Sequence, residues 1–252
     1  MNELSSLISS SFPSETDSVQ QKSYVTYTLS ALASSSEKVP TITLLESRNL
    51  LTAGGVTGFR TWEAAFHLGN YLCGNPGLIE GKSILELGAG TAYLSVLCAK
   101  YLHASHYLAT DGSEDVVSSF STNIYLNGLQ DSSIIDGKEL SWGHALVGAE
   151  HPEWNAGRSI DLVLGSDLTY DATWHPALIA TFREVFDLYP GVKIVLAATV
   201  RNETTFEMFT QRCKKNGLVL EHVEYPMTKQ KSQEGPFYSD LAPVEICIIT
   251  RL

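Results

Sequence analysis

The stretch of sequence that decides the fold is Ile84-Leu85-Glu86-Leu87-Gly88-Ala89-Gly90-Thr91. Its apolar beginning is typical of a short buried strand, and from Thr91 to Leu102 the apolar residues repeat at helical spacing. The glycines between these elements permit a tight turn and close approach of the backbone to a ligand, to which the start of the helix presents free N–H groups. Asp111 ends the next predicted strand, 21 residues after Gly90. A carboxylate at that place can accept hydrogen bonds from both hydroxyls of an adenosine ribose.

Two features of this stretch favour S-adenosylmethionine over a dinucleotide as the ligand. A dinucleotide-binding loop reads G-x-G-x-x-G/A, and here Tyr93 occupies the third small position, where its ring would crowd the packing of helix against strand. Glu86 adds negative charge near the loop, which disfavours a pyrophosphate and suits the ammonium group of a methionine moiety. Dinucleotide binding and a purely structural loop stay open as alternatives.

Strand-like and helix-like segments alternate along most of the chain, and this order predicts a parallel, doubly wound sheet. The last two predicted strands have only the polar stretch 229–243 between them, so they can pair as an antiparallel hairpin. We therefore predict an α/β fold with a Rossmann-like, doubly wound, seven-stranded sheet that ends in an antiparallel β-hairpin, the plan of class I methyltransferases. The seven strands are predicted at 83–87, 106–110, 134–140, 160–164, 192–200, 218–225 and 244–250. Helices are predicted at 62–72, 91–102, 113–127, 175–188 and 203–215.

The first 40 residues differ in composition from the rest because they are rich in serine. We predict two parts: a serine-rich N-terminal arm at 1–40, partly helical over Val19–Leu32, and a methyltransferase domain at 41–252. The domain is expected to open with a strand at Thr41–Leu45.

Composition limits the compartment and the partners. The chain has 252 residues and no apolar run near the roughly 20 residues that a membrane helix needs. Its first residues lack a basic start and a continuous apolar stretch, so we expect no secretory signal. The four cysteines are widely spaced without a C-x-x-C pair, so we expect reduced thiols, no zinc site and a cytoplasmic protein. The formal net charge of −11 favours a basic or neutral partner, such as a lysine-bearing protein surface, over nucleic acid.

Further candidate residues follow the later strands, at the sheet edge where open α/β folds bind their ligands. Trp142 follows the third strand, where its indole can cover an adenine face. Ser166, Asp167 and Tyr170 leave the fourth strand, with Ser166 assigned to the cofactor and the other two to the reacting group. Arg201 leaves the fifth strand, and its partner can be a substrate carboxylate or Asp167. A surface arginine in a local salt bridge is the alternative. No metal-ligand spacing or Ser-His-Asp order stands out, so no metal is predicted.

Four of these motifs together resemble methyltransferase family 16, a group of seven-strand protein methyltransferases that act mostly on lysine. They are Thr61-Trp-Glu-Ala-Ala65, Glu86-Leu-Gly-Ala-Gly-Thr91, Leu140-Ser-Trp142 and Asp167-Leu-Thr-Tyr170. The segments Gly58–Ala64, Ala198–Asn202 and Val244–Arg251 are similar to the elongation factor 2 lysine methyltransferase group in particular. The resemblance covers about Leu50 to the C-terminus. The serine-rich lead departs from the longer helical region that precedes the domain in that group.

By this resemblance, Trp62 helps to close the cofactor pocket, and the cofactor is bound by Gly88, Gly90, Asp111 and Trp142. Asp167 and Tyr170 are expected to shape the lysine channel.

We therefore predict a monomeric S-adenosylmethionine-dependent protein-lysine N-methyltransferase that acts on a translation factor such as elongation factor 2. A small-molecule or a nucleic-acid N-methyltransferase on the same fold remains an alternative, as does a cofactor-binding interaction module without activity. A closed pocket would favour the small-molecule enzyme. An N-P-P-[YF]-like exit from the fourth strand would favour nucleic acid, but Ser166-Asp167-Leu168-Thr169 stands there.

Overall fold

A seven-stranded mixed sheet with helices on both faces forms the body of the protein. The structure is a computed structural model, and it describes residues 22–34, 38–47, 56–143, 155 and 157–252. The strands of the sheet are β3 (Ser83–Leu87), β4 (His106–Asp111), β5 (Ile135–Glu139), β6 (Leu162–Ser166), β7 (Lys193–Thr199), β8 (Leu218–Val223) and β9 (Val244–Arg251). The helices are α1 (Glu63–Gly74), α2 (Tyr93–Lys100), α3 (Glu114–Leu126), α4 (His175–Leu188) and α5 (Glu203–Lys215).

The order of strands across the sheet is β5-β4-β3-β6-β7-β9-β8. Five strands, β3 to β7, are mutually parallel, whereas β9 runs antiparallel to both of its neighbours. The predicted doubly wound sheet with a final antiparallel pair is therefore confirmed. The chain winds outward from β3 in one direction and from β6 in the other, so a crevice opens between their carboxyl ends, where ligands bind in such sheets.

The central strands are buried on both faces because helices cover both sides of the sheet. Every residue of β3 is buried, and so are the first four of β6. Helices α1, α2 and α3 contribute to one apolar cluster, and α4 and α5 contribute to a second cluster on the opposite face. Burial of central strands on both faces is expected in parallel sheets.

A separate antiparallel hairpin precedes the sheet, formed by β1 (Lys22–Thr28) and β2 (Thr41–Ser47). The strand predicted at Thr41–Leu45 is confirmed, but the helix predicted over Val19–Leu32 is wrong for β1. Burial alternates along most of β1, and the β-branched Val25 and Thr26 favour extended backbone. Ser30–Leu32 forms only a 3₁₀ turn, and residues 19–21 lie outside the described part of the chain.

The hairpin spans the predicted boundary at residue 40, and its second strand is fixed to the domain by two amides of α3. The Asn127 side chain pairs with both backbone groups of Thr43, at 3.0 and 2.8 Å. Asn123 accepts a hydrogen bond from the backbone N–H of Leu45 at 2.7 Å. The backbone groups of Thr43 and Leu45 on the edge of β2 are therefore hydrogen-bonded to side chains. The division of the chain at residue 40 remains a prediction.

Membrane helices, disulfides and metal clusters were not expected from the sequence, and the described residues can be searched for each. In that part of the chain, no helix is both long and apolar enough to cross a membrane. All four cysteines are free thiols, three of them buried and Cys73 half-buried. Within the described ranges no group of three or more His, Cys, Asp or Glu side chains is arranged to hold a metal ion.

Candidate active site

A cavity of about 690 Å³ opens at the carboxyl ends of the central strands. All nine residues that the sequence assigned to the site line this cavity: Trp62, Glu86, Gly88, Gly90, Asp111, Trp142, Ser166, Asp167 and Tyr170. They come from five separate stretches of the chain, which the fold brings to one edge of the sheet. The structure thus places the predicted residues together, and their individual roles remain predictions.

The glycine loop between β3 and α2 has a backbone that a side chain would strain. Gly88 and Gly90 have φ angles of +63° and +54°, in the left-handed region that favours glycine. A Cβ atom on Gly88 would lie 2.6 Å from a methyl of Leu168, and one on Gly90 would lie 3.2 Å from the carbonyl oxygen of Gly58. The loop therefore passes so close to its neighbours that glycine is required at both positions.

The carboxylate of Asp111 holds the glycine loop from the end of β4. One oxygen accepts a hydrogen bond from the backbone N–H of Gly90 at 3.1 Å, and the other accepts from that of Ser113 at 3.1 Å. Burial raises the pKa of this carboxyl, and these backbone hydrogen bonds oppose the rise. Because each oxygen has a second lone pair, the group can still accept hydrogen bonds from a ligand in the cavity.

Glu86 lies deeper than the sequence suggested, with only 1% of its surface exposed. One carboxylate oxygen accepts hydrogen bonds from the hydroxyls of Ser95, at 2.5 Å, and Tyr107, at 2.9 Å. Burial raises the pKa of Glu86 to about 7; the two hydroxyl donors lower it, and the charge of Asp111 raises it. At neutral pH the residue is therefore only partly ionised, so its negative charge near the loop depends on pH.

Two tryptophans contribute aromatic surface to the cavity. The indole N–H of Trp62 donates to the carbonyl of Thr57 at 3.1 Å, and its ring lies 5.2 Å from the guanidinium of Arg60 and 5.1 Å from that of Arg201. Cation–π contacts at these distances help to hold the plane of the Trp62 ring. Trp142 lies beside the glycine loop, with a ring carbon 3.6 Å from where a Cβ of Gly88 would be.

Asp167 is held by an ion-pair and hydrogen-bond cluster at the exit of β6. Its φ angle is +54°, and its two oxygens accept hydrogen bonds from the backbone N–H and the hydroxyl of Thr199, at 2.8 and 2.9 Å. The guanidinium of Arg201 lies 3.6 Å from the carboxylate and donates to Glu63 at 2.6 Å. Burial raises the pKa of Asp167, and the charge of Arg201 opposes that effect. Of the two partners considered for Arg201, the structure shows Asp167, together with Glu63.

The mouth of the cavity is lined by exposed aromatic side chains. Tyr170 is 54% exposed, and Trp174, which the sequence analysis did not assign, is 53% exposed. Ser166 lies half-buried in the cavity lining at the end of β6. Two exposed aromatic rings next to one cavity form an apolar surface that a ligand can contact. Spacing gave one signal for Trp174, since it lies four residues beyond Tyr170 on the same strand exit.

Tyr93 does not obstruct the crevice with its ring. The side chain is 1% exposed and packs edge-on against Phe66 and Tyr27, at centroid distances of 5.0 and 5.9 Å. Gly69 of α1 provides the room, because a Cβ there would lie 3.0 Å from the Tyr93 ring. Tyr93 therefore fills space between helix and hairpin that a small third residue would leave empty.

Comparisons with known proteins agree with this geometry. The sequence profile of a family described as lysine methyltransferase matches residues 46–215. The chain belongs to this family. Similar proteins include the protein-lysine N-methyltransferase EFM3 of Chaetomium thermophilum, 52% identical over 251 residues that cover 100% of this chain and 74% of that protein. EFM3 of Saccharomyces cerevisiae is 33% identical over 83% of this chain and 66% of that protein. The human protein-lysine N-methyltransferase EEF2KMT is 27% identical over 70% of this chain and 56% of its own length.

Solved structures agree with the fold assignment. The methyltransferase domain of bacterial CtHen1-C superimposes with a TM-score of 0.51 at 13% identity, covering 74% of this chain and 97% of that one. A putative SAM-dependent methyltransferase from Streptococcus mutans gives 0.52 at 12% identity, over 83% of this chain and 52% of the other. Together with the family match, they confirm the prediction of a class I methyltransferase.

Some residues of the site were not found from the sequence. Thr61 and Thr91 both line the cavity, and their hydroxyl oxygens are 2.5 Å apart although 30 residues separate them in the chain. Both occur inside motifs that the sequence analysis named: Thr61 directly precedes Trp62, and Thr91 directly follows the glycine loop. Motif position marked them as neighbours of the site, but nothing in the sequence showed that they contact each other.

Proposed function

We propose that the cavity binds S-adenosylmethionine and that the protein transfers its methyl group to the ε-amine of a lysine in a protein substrate. The main support is that nine residues chosen from motifs line one cavity at the switch point of the sheet. Family membership makes methylation of lysine the expected chemistry.

The lining fits the cofactor in its chemistry. The glycine loop contributes its backbone directly to the cavity lining, and the start of α2 beyond it presents backbone N–H groups. Asp111 would hold the ribose hydroxyls, and Trp142 would cover the adenine. Glu86 and Trp62 would lie near the methionine part. S-adenosylmethionine supplies a methyl group on a positively charged sulfur.

The residues at the mouth would prepare the lysine for attack. A lysine amine has a reference pKa of about 10.4, so it must first lose a proton to water. The neutral amine would then form a bond to the methyl carbon while the bond from that carbon to sulfur breaks, which releases S-adenosylhomocysteine. Removal from water between the rings of Tyr170 and Trp174 disfavours the charged form. Asp167 cannot rotate freely because Thr199 holds both of its oxygens, and its fixed charge would orient the amine. Alignment of the amine with the methyl–sulfur bond would lower the barrier to transfer, so that no dedicated strong base is needed.

We propose elongation factor 2 as the substrate. We also propose that the enzyme is a monomer and that it acts in the cytoplasm. The segments Gly58–Ala64, Ala198–Asn202 and Val244–Arg251, which resemble the elongation factor 2 methyltransferase group, support this choice. The net charge of −11 is consistent with a basic substrate surface around the target lysine.

Labelled-methyl transfer into a lysate of cells that lack this protein tests the proposal. The wild-type chain is expected to label one protein band of the size of elongation factor 2. Asp167→Ala is expected to abolish the labelling while calorimetric binding of S-adenosylhomocysteine stays within about threefold of wild type. Asp131→Ala, at an exposed aspartate between α3 and β5, serves as the matched control and should label normally.

Three outcomes would contradict the proposal in different ways. Labelled RNA without labelled protein would indicate a nucleic-acid methyltransferase, and label only in small molecules would indicate a metabolic enzyme. Binding of S-adenosylhomocysteine without any transfer would indicate an inactive binding module. Normal activity of Asp167→Ala would remove Asp167 from the mechanism but leave the substrate assignment standing.

A further inference from the structure

One wall of the cavity is a segment without helix or strand, residues 56–62, which we call the capping segment. Thr57, Gly58, Arg60, Thr61 and Trp62 of this segment all line the cavity. Since the capping segment belongs to no element of the sheet, its position depends on individual contacts. Contacts to it come from the N-terminal hairpin, from the start of α2 and from the guanidinium of Arg201.

Four hydrogen bonds connect these parts into a closed ring. The backbone N–H of Leu45 donates to the Asn123 side chain at 2.7 Å, and the Asn123 amide donates to the carbonyl of Thr91 at 2.9 Å. The hydroxyls of Thr91 and Thr61 are 2.5 Å apart. The hydroxyl of Thr61 then donates to the carboxylate of Glu46 at 2.5 Å. Glu46 follows Leu45 in β2, which closes the ring.

Glu46 determines which hydroxyl donates in the two hydrogen bonds that Thr61 makes in this ring. Thr61 donates its single hydroxyl proton to the carboxylate of Glu46, and Thr91 must therefore donate to Thr61. Glu46, Thr61 and Thr91 are each at most 5% exposed, so a donor or acceptor left without its partner there is costly. Loss of the carboxylate would leave the hydroxyl of Thr61 without this acceptor and would break the connection between the capping segment and β2 at this point.

Two members of the ring, Thr61 and Thr91, belong to the walls of the cavity. Thr91 directly follows the glycine loop, and the capping segment lies on that loop, where the Gly58 carbonyl approaches Gly90. A second contact aligns the same parts, since the backbone N–H of Ser47 donates to the carbonyl of Phe59 at 2.8 Å. The ring therefore sets the distance between the capping segment and the glycine loop.

We propose that Glu46 is a positioning residue for the cofactor, which acts through Thr61 and Thr91 to hold the capping segment against the glycine loop. The inference rests on the proposed function, because it takes the cavity as the cofactor site. It assigns to the N-terminal hairpin a part in cofactor affinity, in addition to any part in stability.

Calorimetric titration of the full chain with S-adenosylhomocysteine tests this role, with the melting temperature measured in parallel. Glu46→Ala and Thr61→Val are each expected to weaken binding about tenfold, and the double variant is expected to be no weaker than either single one, because both break the same ring. Thr61→Ser keeps the hydroxyl and should restore affinity.

Tyr27→Phe is the matched control. Tyr27 donates to the other oxygen of Glu46 at 3.0 Å, outside the ring, so its loss should lower the melting temperature and leave affinity at the wild-type value. The inference is overturned if Glu46→Ala and Thr61→Val melt earlier but bind within twofold of wild type, or if Thr61→Ser binds as weakly as Thr61→Val. A wild-type chain that binds no S-adenosylhomocysteine would overturn the proposed function and this inference together.

Discussion

Replacement of Glu86 by glutamine should make the protein more stable at neutral pH, in spite of the residue's place in a signature motif. Burial raises the pKa of Glu86 to about 7 in the folded protein, from an ordinary value of 4.5. Between these two pH values the folded chain keeps a proton that the unfolded chain has released. Folding stability therefore falls as pH rises from about 4.5 to about 7, and it levels off above that range.

The size of the effect follows from the difference between the two pKa values. One pKa unit corresponds to about 1.4 kcal/mol, so ionisation of Glu86 costs the folded state about 3 kcal/mol by the time the pH exceeds 7. Glutamine resembles the protonated acid, because its oxygen can still accept from Ser95 and Tyr107, and it cannot ionise. The variant should thus gain little at acid pH and about 3 kcal/mol above neutrality.

Urea unfolding of Glu86→Gln and wild type at several pH values from 5.5 to 8 measures this difference. The stability gap should widen by about 2 kcal/mol across that range, with equal m-values for both proteins. Glu207→Gln, at an exposed position on α5, is the control and should follow the wild-type curve at every pH. A gap for Glu86→Gln that stays constant with pH would refute the reasoning, because it would show that the folded protein does not hold Glu86 partly protonated.

Three further predictions concern the cavity. Gly88→Ala should lower the free energy of unfolding by about 1–3 kcal/mol, since the residue has a left-handed φ and its new methyl would displace Leu168; urea unfolding checks this, and unchanged stability would contradict it. Asp111→Ala should weaken S-adenosylhomocysteine binding at least tenfold, because it removes the ribose acceptor and the partner of Gly90; unchanged calorimetric affinity would disprove the ribose assignment. Arg201→Gln should raise the pKa of Asp167 further, so the acid limb of the pH–rate profile for methyl transfer should move to higher pH; a profile that coincides with wild type would show that this ion pair does not keep Asp167 ionised.

The sequence alone determined the order of strands and helices, because hydrophobic periodicity and glycine punctuation are local properties of the chain. The stretch from Ile84 to Thr91 predicted a strand, a glycine loop and a helix, and β3 and α2 occupy those places. The nine site residues were also found from motifs, since parallel strands bring their carboxyl ends to one edge whatever the length of the connections between them. The misread strand β1 shows the limit of this reasoning, because an extended segment is stabilised by the partner with which it pairs.

Tertiary structure decided what depends on contacts between distant parts of the chain. The insertion of β9 between β7 and β8, the pairing of Arg201 with both Glu63 and Asp167, and the ring through Glu46 join residues that no local pattern connects. The burial that raises the pKa of Glu86 belongs to the same class, since desolvation depends on everything packed around a group. Local sequence therefore specified nine residues of the cavity lining, and long-range packing specified the burial, the hydrogen bonds and the contact between Thr61 and Thr91.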